Sequence, residues 1–273
     1  MENKEWSGLN HPENYCFPKE ETGQVPPEQI SKEKMHRVFG NGYELTEIED
    51  GDRVKVGGHR FNTETSTEVR ADLEHFQPFF NEAKNSSSVY NKEKLKEWLE
   101  RQHLEVDERI FASLFAFTKV FEKQFPKNPN GEGSRAQLYQ EHGNETRLSE
   151  VFDAQTAACA EIAILAQYFL QQENVPSSYF SGDVLWQPDQ EFSEEHSFIV
   201  IHDGKRTLLY DPTNPTDTTQ GMYPSIYTTE VDFDETMAKK EKRFVTATNM
   251  LSKRKAFFGA NNGTNIIPER HIV

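Results

Sequence analysis

The sequence predicts an α+β fold in which one apolar helix packs against an antiparallel sheet. In residues 157–171, apolar side chains recur at the spacing of one helix face, with Gln and Glu between them. Residues 178–185 and 197–201 have the composition of strands, and the second run is apolar almost throughout, as in a strand buried on both faces. Asp203-Gly204 then predicts a tight hairpin turn, and residues 206–210 form the returning strand.

The rest of the chain divides into segments of different composition. Residues 1–35 are rich in Pro, Glu, Lys and Asn, which predicts an extended or partly disordered arm. Residues 36–125 predict a small antiparallel β unit followed, from residue 91, by helices. PKNPNGEG at 126–133 is the strongest linker signal, so residues 134–273 are expected to form a separate C-terminal portion that ends in a basic segment, with a long surface loop at 126–133 as the alternative.

Charge and hydropathy exclude several classes of protein. The 273 residues carry a formal net charge of −15, which argues against a nucleic-acid-binding surface. No run approaches the roughly 20 apolar residues that a membrane-spanning helix needs, and the first residues lack the pattern of a secretory signal peptide. From Thr236 to Val273 there are eight Lys or Arg and two Asp or Glu. We interpret this stretch as a basic helix on an acidic body, with a docking segment for an acidic partner as the alternative.

The cysteine count indicates the compartment. Cys16 and Cys159 are the two cysteines, too few for a disulfide framework or a four-thiolate zinc site. We therefore expect free thiols in a reducing, cytoplasmic environment. Whether the protein acts in its own cell or is delivered into another stays open. The nine His are scattered without metal-ligand spacing, so we expect neither a metal nor a cofactor.

The hairpin at Asp203-Gly204 brings a histidine and a carboxylate together. A two-residue loop pairs His202 with Lys205, and the same register pairs His196 with Asp211. Directly opposed side chains lie on one face with Cβ atoms about 4.5–5.5 Å apart. A carboxylate at that distance holds an imidazole in one tautomer and stabilises its protonated form.

Cys159 is the expected partner of this histidine. It stands at the start of the apolar helix, where the positive end of the helix dipole favours the thiolate. Small alanines surround it, which leaves room for a substrate carbonyl, and backbone N–H groups at the helix start would face a developing oxyanion.

Five short motifs in this order resemble the transglutaminase-like cysteine enzymes. They are CAEIAILA beginning at Cys159, VP at 175–176, SGDV at 181–184, HSFIV beginning at His196 and YDPT beginning at Tyr210. The resemblance implies a papain/transglutaminase-like α+β core, in which the helix bearing the nucleophile packs on an antiparallel sheet, with an N-terminal helical and small β extension.

The resemblance also implies roles for individual residues. Cys159 would be the nucleophile, His196 the general base and acid, and Asp211 the residue that orients the imidazole. Gln155, Gln137 and Tyr139 are the candidates for the side chain that completes the oxyanion hole.

The family contains transglutaminases, peptidases, glutamine deamidases used by bacterial effectors, and members that have lost activity. Glutamine-directed acyl transfer on a protein or peptide substrate is the function we expect. A peptidase of the same fold and a non-catalytic binding protein are the alternatives. No nucleic-acid or membrane partner is expected, and the oligomeric state stays open.

Other polar residues near these motifs have simpler interpretations. Glu161 complements the helix dipole from the first turn, and Trp186 is a packing residue. In the predicted register His202 lies at the turn and is a surface residue. Cys159, His196 and Asp211 could each also be structural, so it is their joint order that favours a triad.

Overall fold

An antiparallel sheet that closes on itself organises the chain. In the computed structural model, the described residues are 35–39, 42–56, 68–90, 92–125, 131–187, 190, 193–204, 206–219, 221–238 and 243–260. The strands are β1 (Met35–Phe39), β2 (Gly42–Leu45), β3 (Arg53–Lys55), β4 (Glu68–Arg70), β5 (Ser177–Leu185), β6 (Glu194–His202), β7 (Thr207–Thr218), β8 (Gly221–Thr229), β9 (Arg243–Asn249) and β10 (Lys255–Ala260). The helices are α1 (Gln77–Val89), α2 (Lys92–Arg101), α3 (Glu108–Gln124), α4 (Gly131–His142), α5 (Leu148–Asp153), α6 (Cys159–Gln172) and α7 (Phe233–Ala238).

β5 closes the sheet into a barrel. The strand order is β1-β2-β5-β10-β9-β8-β7-β6, and β6 pairs again with β5, so β5 through β10 form a closed six-stranded antiparallel ring. One edge of β5 pairs with β6, while its other edge pairs with β2 at Tyr179–Ser181 and with β10 at Asp183–Leu185. Gly182 stands at this junction, where a Cβ would overlap the Gly259 carbonyl. Glycine therefore permits the close approach of the strands that seal the barrel.

The closed barrel corrects the predicted fold class. We expected a papain/transglutaminase-like α+β core with a helix on an antiparallel sheet, and that prediction is wrong, because the structure has a six-stranded antiparallel barrel with a few helices. The described part of the C-terminal segment is also not the basic helix we expected. Residues 243–249 and 255–260 are β9 and β10, and β10 is the strand that closes the ring onto β5.

Two hydrophobic clusters lie on the two faces of the barrel wall. Alternate residues such as Phe180, Phe198 and Leu209 pack together inside the barrel, where Phe233 of α7 joins them. Their neighbours Tyr179 and Ile199 face outward into a larger cluster shared with the helices. α6 packs across β5, β6 and β7 on this outer face. Both faces of this part of the barrel wall are thus buried, which explains why the sequences of its strands are nearly continuous apolar runs.

Several local predictions agree with the structure. The helix predicted at 157–171 is α6, and the three predicted strands fall within β5, β6 and β7. The strands expected in the small β unit occur as β1, β2 and β3, but they do not form one unit, because β1 and β2 join the sheet of the barrel and β3 pairs with β4. The helices expected after residue 91 are α2 and α3. The arm at 1–34 lies outside the described residues, as do residues 126–130 of the linker. No described helix is long and apolar enough to cross a membrane.

Candidate active site

Cys159 is the first residue of α6, and its thiol is free and half-buried. Ala158 before it is extended, with φ −117° and ψ −167°, and has no side chain that could cap the helix. Glu161 supplies the missing acceptor, because its Oε2 accepts a hydrogen bond from the Ala158 N–H at 3.0 Å. This returning carboxylate is the second half of a capping box, and it fixes the point at which the helix begins.

His196 of β6 and Asp211 of β7 form a buried ion pair. His196 Nε2 lies 3.0 Å from Asp211 Oδ2, and the two residues are 7% and 1% exposed. Asp211 Oδ1 accepts from the Thr213 N–H at 2.9 Å, and Oδ2 accepts from Asn214 Nδ2 at 2.9 Å. The Asp-Pro-Thr-Asn turn therefore holds the carboxylate in place.

The register of β6 and β7 differs from the predicted one by two residues. Val200 pairs with Leu209 and His202 with Thr207, so the hairpin loop has four residues, and Asp203 Oδ1 accepts from the Arg206 N–H at 2.8 Å within it. Side chains alternate between faces with a period of two, so a two-residue shift leaves His196 and Asp211 on the same face. They meet as diagonal neighbours, within reach of long side chains.

The thiol, imidazole and carboxylate form a chain of contacts. Burial alone would lower the pKa of His196, but the Asp211 carboxylate, together with a hydrogen bond to Cys159, raises that pKa to about 10. Burial opposes ionisation of Asp211 as well, yet the His196 charge and the bonds from Asn214 and Thr213 hold the pKa of Asp211 below its ordinary value. An imidazolium is thus favoured at neutral pH beside the sulfur, as in thiol enzymes with a thiolate–imidazolium pair.

The three candidates for the side chain that completes the oxyanion hole have different surroundings in the structure. Tyr139 is buried, and its OH donates to Glu161 Oε1 at 2.7 Å, so it does not face the thiol. Gln137 is exposed, and its Nε2 donates to Glu141 at 2.8 Å. Gln155 is exposed in the loop before α6, with φ +55°. Of the three, Gln155 is the one on the segment leading directly into Cys159.

A buried charged pair beneath the helix start is a feature that the sequence analysis missed. Arg135 of α4 donates to Glu161 Oε1 from Nε at 2.9 Å and from Nη2 at 2.6 Å. Nη2 also donates to the Val56 carbonyl at 2.9 Å. The available signal was one charged residue, Glu161, in an otherwise uncharged helix, and its partner lies 26 residues away in sequence.

Trp186 borders the site next to the imidazole. Its ring meets that of His196 edge-on at a centroid distance of 5.2 Å, and it also contacts Phe258 at 6.0 Å. The indole N–H donates to Glu194 Oε2 at 3.1 Å, and the ring is half-buried. Trp186 therefore packs against the imidazole while part of its surface faces solvent beside it.

Within the described residues, one group has the chemistry of metal ligands. Ligand atoms of Glu44, His202 and Asp234 lie within 4.8 Å of one another. His202 Nδ1 is 3.4 Å from Asp234 Oδ2, and the imidazole is half-buried, not the surface residue at a two-residue turn that the predicted register required. This group lies at the end of β6 opposite His196, next to α7.

Comparison of the chain with family models, with curated proteins and with solved structures finds no match. The resemblance to transglutaminase-like enzymes therefore depends on the sequence motifs alone. The function has to be inferred from the geometry and chemistry of the site.

Proposed function

We propose that the protein is a cysteine-dependent enzyme that transfers the acyl group of an amide through a thioester on Cys159. The observation that carries this proposal is the buried pair of His196 and Asp211 at 3.0 Å, with the Cys159 thiol near enough to help raise the pKa of the same imidazole. The three side chains come from α6, β6 and β7. A carboxylate-oriented imidazole next to a thiol at a helix start is the arrangement that activates a sulfur nucleophile.

The reaction uses these groups in two half-reactions. The Cys159 thiolate attacks the amide carbonyl carbon, and the oxyanion faces the first-turn N–H groups of α6, which have no acceptor within the helix. His196 gives its proton to the leaving nitrogen as the C–N bond breaks, so ammonia or an amine departs and a thioester remains. His196 then removes a proton from water or an incoming amine, which attacks the thioester carbonyl, so the C–S bond breaks and the Cys159 thiolate and the imidazolium are restored.

The proposed substrate is a glutamine side chain of a protein or peptide, converted by deamidation or transamidation. The sequence resemblance supports this choice over a peptide bond, although cleavage of a peptide bond would use the same steps. A reactive free thiol operates in a reducing environment, so we propose a cytoplasmic location.

Mass spectrometry of candidate proteins after incubation with the full chain tests the proposal. Deamidation adds about 1 Da at Gln, transamidation adds the mass of the amine, and proteolysis creates new termini. Cys159→Ala and His196→Ala are expected to abolish the modification, and Cys16→Ala is the matched control that retains it. Iodoacetamide is expected to label Cys159 much faster than Cys16, and equal, slow labelling of both would reject an activated nucleophile.

A non-catalytic binding protein is the second candidate. It is favoured by the positions of Gln137 and Tyr139, whose side chains both bond to glutamates and do not face the thiol. If Cys159→Ala, His196→Ala and Asp211→Ala all left the cellular effect of the protein unchanged, this alternative would replace the enzyme.

A further inference from the structure

The Arg135–Glu161 pair is buried directly beneath the nucleophile, and the two half-reactions above make no use of it. Arg135 is 7% exposed and Glu161 is fully buried. Taking two charges out of water is costly, and well-packed apolar residues are often at least as stabilising as such a pair. The pair is therefore better explained by what it does for its neighbours than by the stability it adds.

The two oxygens of Glu161 connect the pair to the residue before the nucleophile. Oε2 accepts from the Ala158 N–H at 3.0 Å, so the carboxylate fixes the peptide that leads into Cys159. Oε1 accepts from Arg135 and from the Tyr139 OH at 2.7 Å, so the carboxylate itself cannot turn. Arg135 is in turn anchored to the Val56 carbonyl, which ties the helix start to α4 and to the residue after β3.

The charges of the pair also act on the sulfur. Glu161 is two residues after Cys159, and a lone buried carboxylate there would disfavour a thiolate by like-charge repulsion. The guanidinium offsets this charge. Burial would lower the pKa of Arg135, but Glu161, Tyr139 and Cys159 raise it above its ordinary value, so the thiol and the guanidinium interact electrostatically.

Building on the proposed function, we propose that Arg135 and Glu161 are positioning residues for Cys159. Glu161 holds the start of α6 so that the first-turn N–H groups stay aligned with the oxyanion. Arg135 balances the carboxylate so that the thiolate is not repelled.

Among the residues that the structure describes, several other elements place titratable groups near the thiol, and the test leaves these groups unchanged. These groups include His196 of β6 and Asp211 of β7, whose carboxylate contacts the His196 imidazole. They also include Tyr179 of β5 and Tyr43 of β2, whose ring contacts that of Tyr179. Tyr139 of α4 is bound to the pair. α3 meets α6 nearer its far end, where an aromatic contact joins the two helices.

The test is the pH dependence of Cys159 alkylation by iodoacetamide in the full chain. Arg135→Met leaves the carboxylate unbalanced, so the pH midpoint is expected to rise. Glu161→Gln leaves the guanidinium unbalanced but keeps an oxygen for the Ala158 N–H, so the midpoint is expected to fall. Each shift should be about half a pH unit or more. A role in folding alone would not produce shifts of opposite sign.

Two further variants keep the test decisive. Arg135→Met/Glu161→Leu removes both charges and is expected to return the midpoint toward that of the natural chain while losing the cap on Ala158. Lys123→Met breaks the exposed ion pair with Glu82 and is the control that should move nothing. If Arg135→Met does not fold, as judged by circular dichroism, Glu161→Gln and the double variant carry the comparison.

The outcomes separate this inference from the proposed function. If the natural chain alkylates Cys159 no faster than Cys16 at any pH, the proposed function and this inference both fail. If Cys159 is reactive but the single variants shift the midpoint in the same direction, or shift it no more than Lys123→Met does, the inference alone fails. If Arg135→Met cannot be measured, the inference alone fails when the pH midpoint of Glu161→Gln is equal to or higher than that of the natural chain.

Discussion

Asp211→Asn removes the charge on which the protonation of His196 depends. Two unit charges 3.0 Å apart attract by about 5 to 6 kcal/mol at an effective dielectric constant of about 20, which equals about four pKa units. This is similar to the rise in the pKa of His196 from 6.5 to about 10. Without the charge, burial is the largest remaining effect, so we expect the pKa of His196 to fall below 6.5.

Histidine-selective NMR and alkylation kinetics measure this change in the same sample. In the natural chain, the His196 ring is expected to stay protonated until about pH 10, whereas in Asp211→Asn it is neutral at pH 7. Loss of the imidazolium should slow Cys159 alkylation at neutral pH, and turnover should fall by about 10⁴, as when another triad loses this charge. Asp234→Asn is the matched control, since it removes the carboxylate next to His202, 3.4 Å away.

One result would refute the reasoning. If His196 still titrates near pH 10 in Asp211→Asn, while circular dichroism shows an intact fold, the carboxylate is not the cause of the raised pKa. An equal response in Asp234→Asn would show that the effect is general and not specific to the buried pair.

Two further predictions concern stability. Gly182→Ala places a methyl group against a backbone carbonyl of the neighbouring strand and is expected to lower the free energy of unfolding by about 2 kcal/mol or more in urea titrations. Gly133→Ala, on α4 with open space around it, should instead raise the free energy of unfolding by about 0.5 to 1 kcal/mol. Equal effects of the two substitutions would exclude a tight strand junction at Gly182. Because the folded-state pKa of His196 lies above its unfolded value, its stabilising contribution is complete below about pH 6.5 and is lost as pH rises to about 10. The free energy of unfolding should fall over that range by a few kcal/mol in the natural chain and much less in Asp211→Asn, and a parallel fall in both would contradict this assignment.

Local sequence patterns predicted the helix and the strands that bear Cys159, His196 and Asp211. The spacing of apolar residues in 157–171 and the apolar run at 197–201 depend on neighbours within a few residues, and both are found in the structure. The hairpin register was harder, because Asp203-Gly204 is also compatible with a four-residue loop. The side chain of Asp203 accepts the Arg206 N–H and stabilises that longer loop, which shifts the pairing by two residues.

Long-range pairings account for what the sequence did not predict. β5 pairs with β10, which lies more than 70 residues later in the sequence, and the residue pattern of neither strand predicts which strand it will pair with. A closed barrel and an open sheet have the same alternation of apolar residues, so closure depends on details such as the absence of a side chain at Gly182. Arg135 and Glu161 meet because the fold brings a side chain of α4 to the first turn of α6, which the spacing of charges along the sequence does not encode.

The strand that seals the barrel comes from the last described part of the chain, about 100 residues after Cys159. During synthesis, Cys159 and His196 leave the ribosome well before Phe258, whose ring packs against Trp186 and Phe198 next to that histidine. The surroundings of the imidazole are therefore complete only when β10 has joined the barrel. A chain interrupted before β10 would lack the strand that pairs with both β9 and β5, so the ring of strands would stay open.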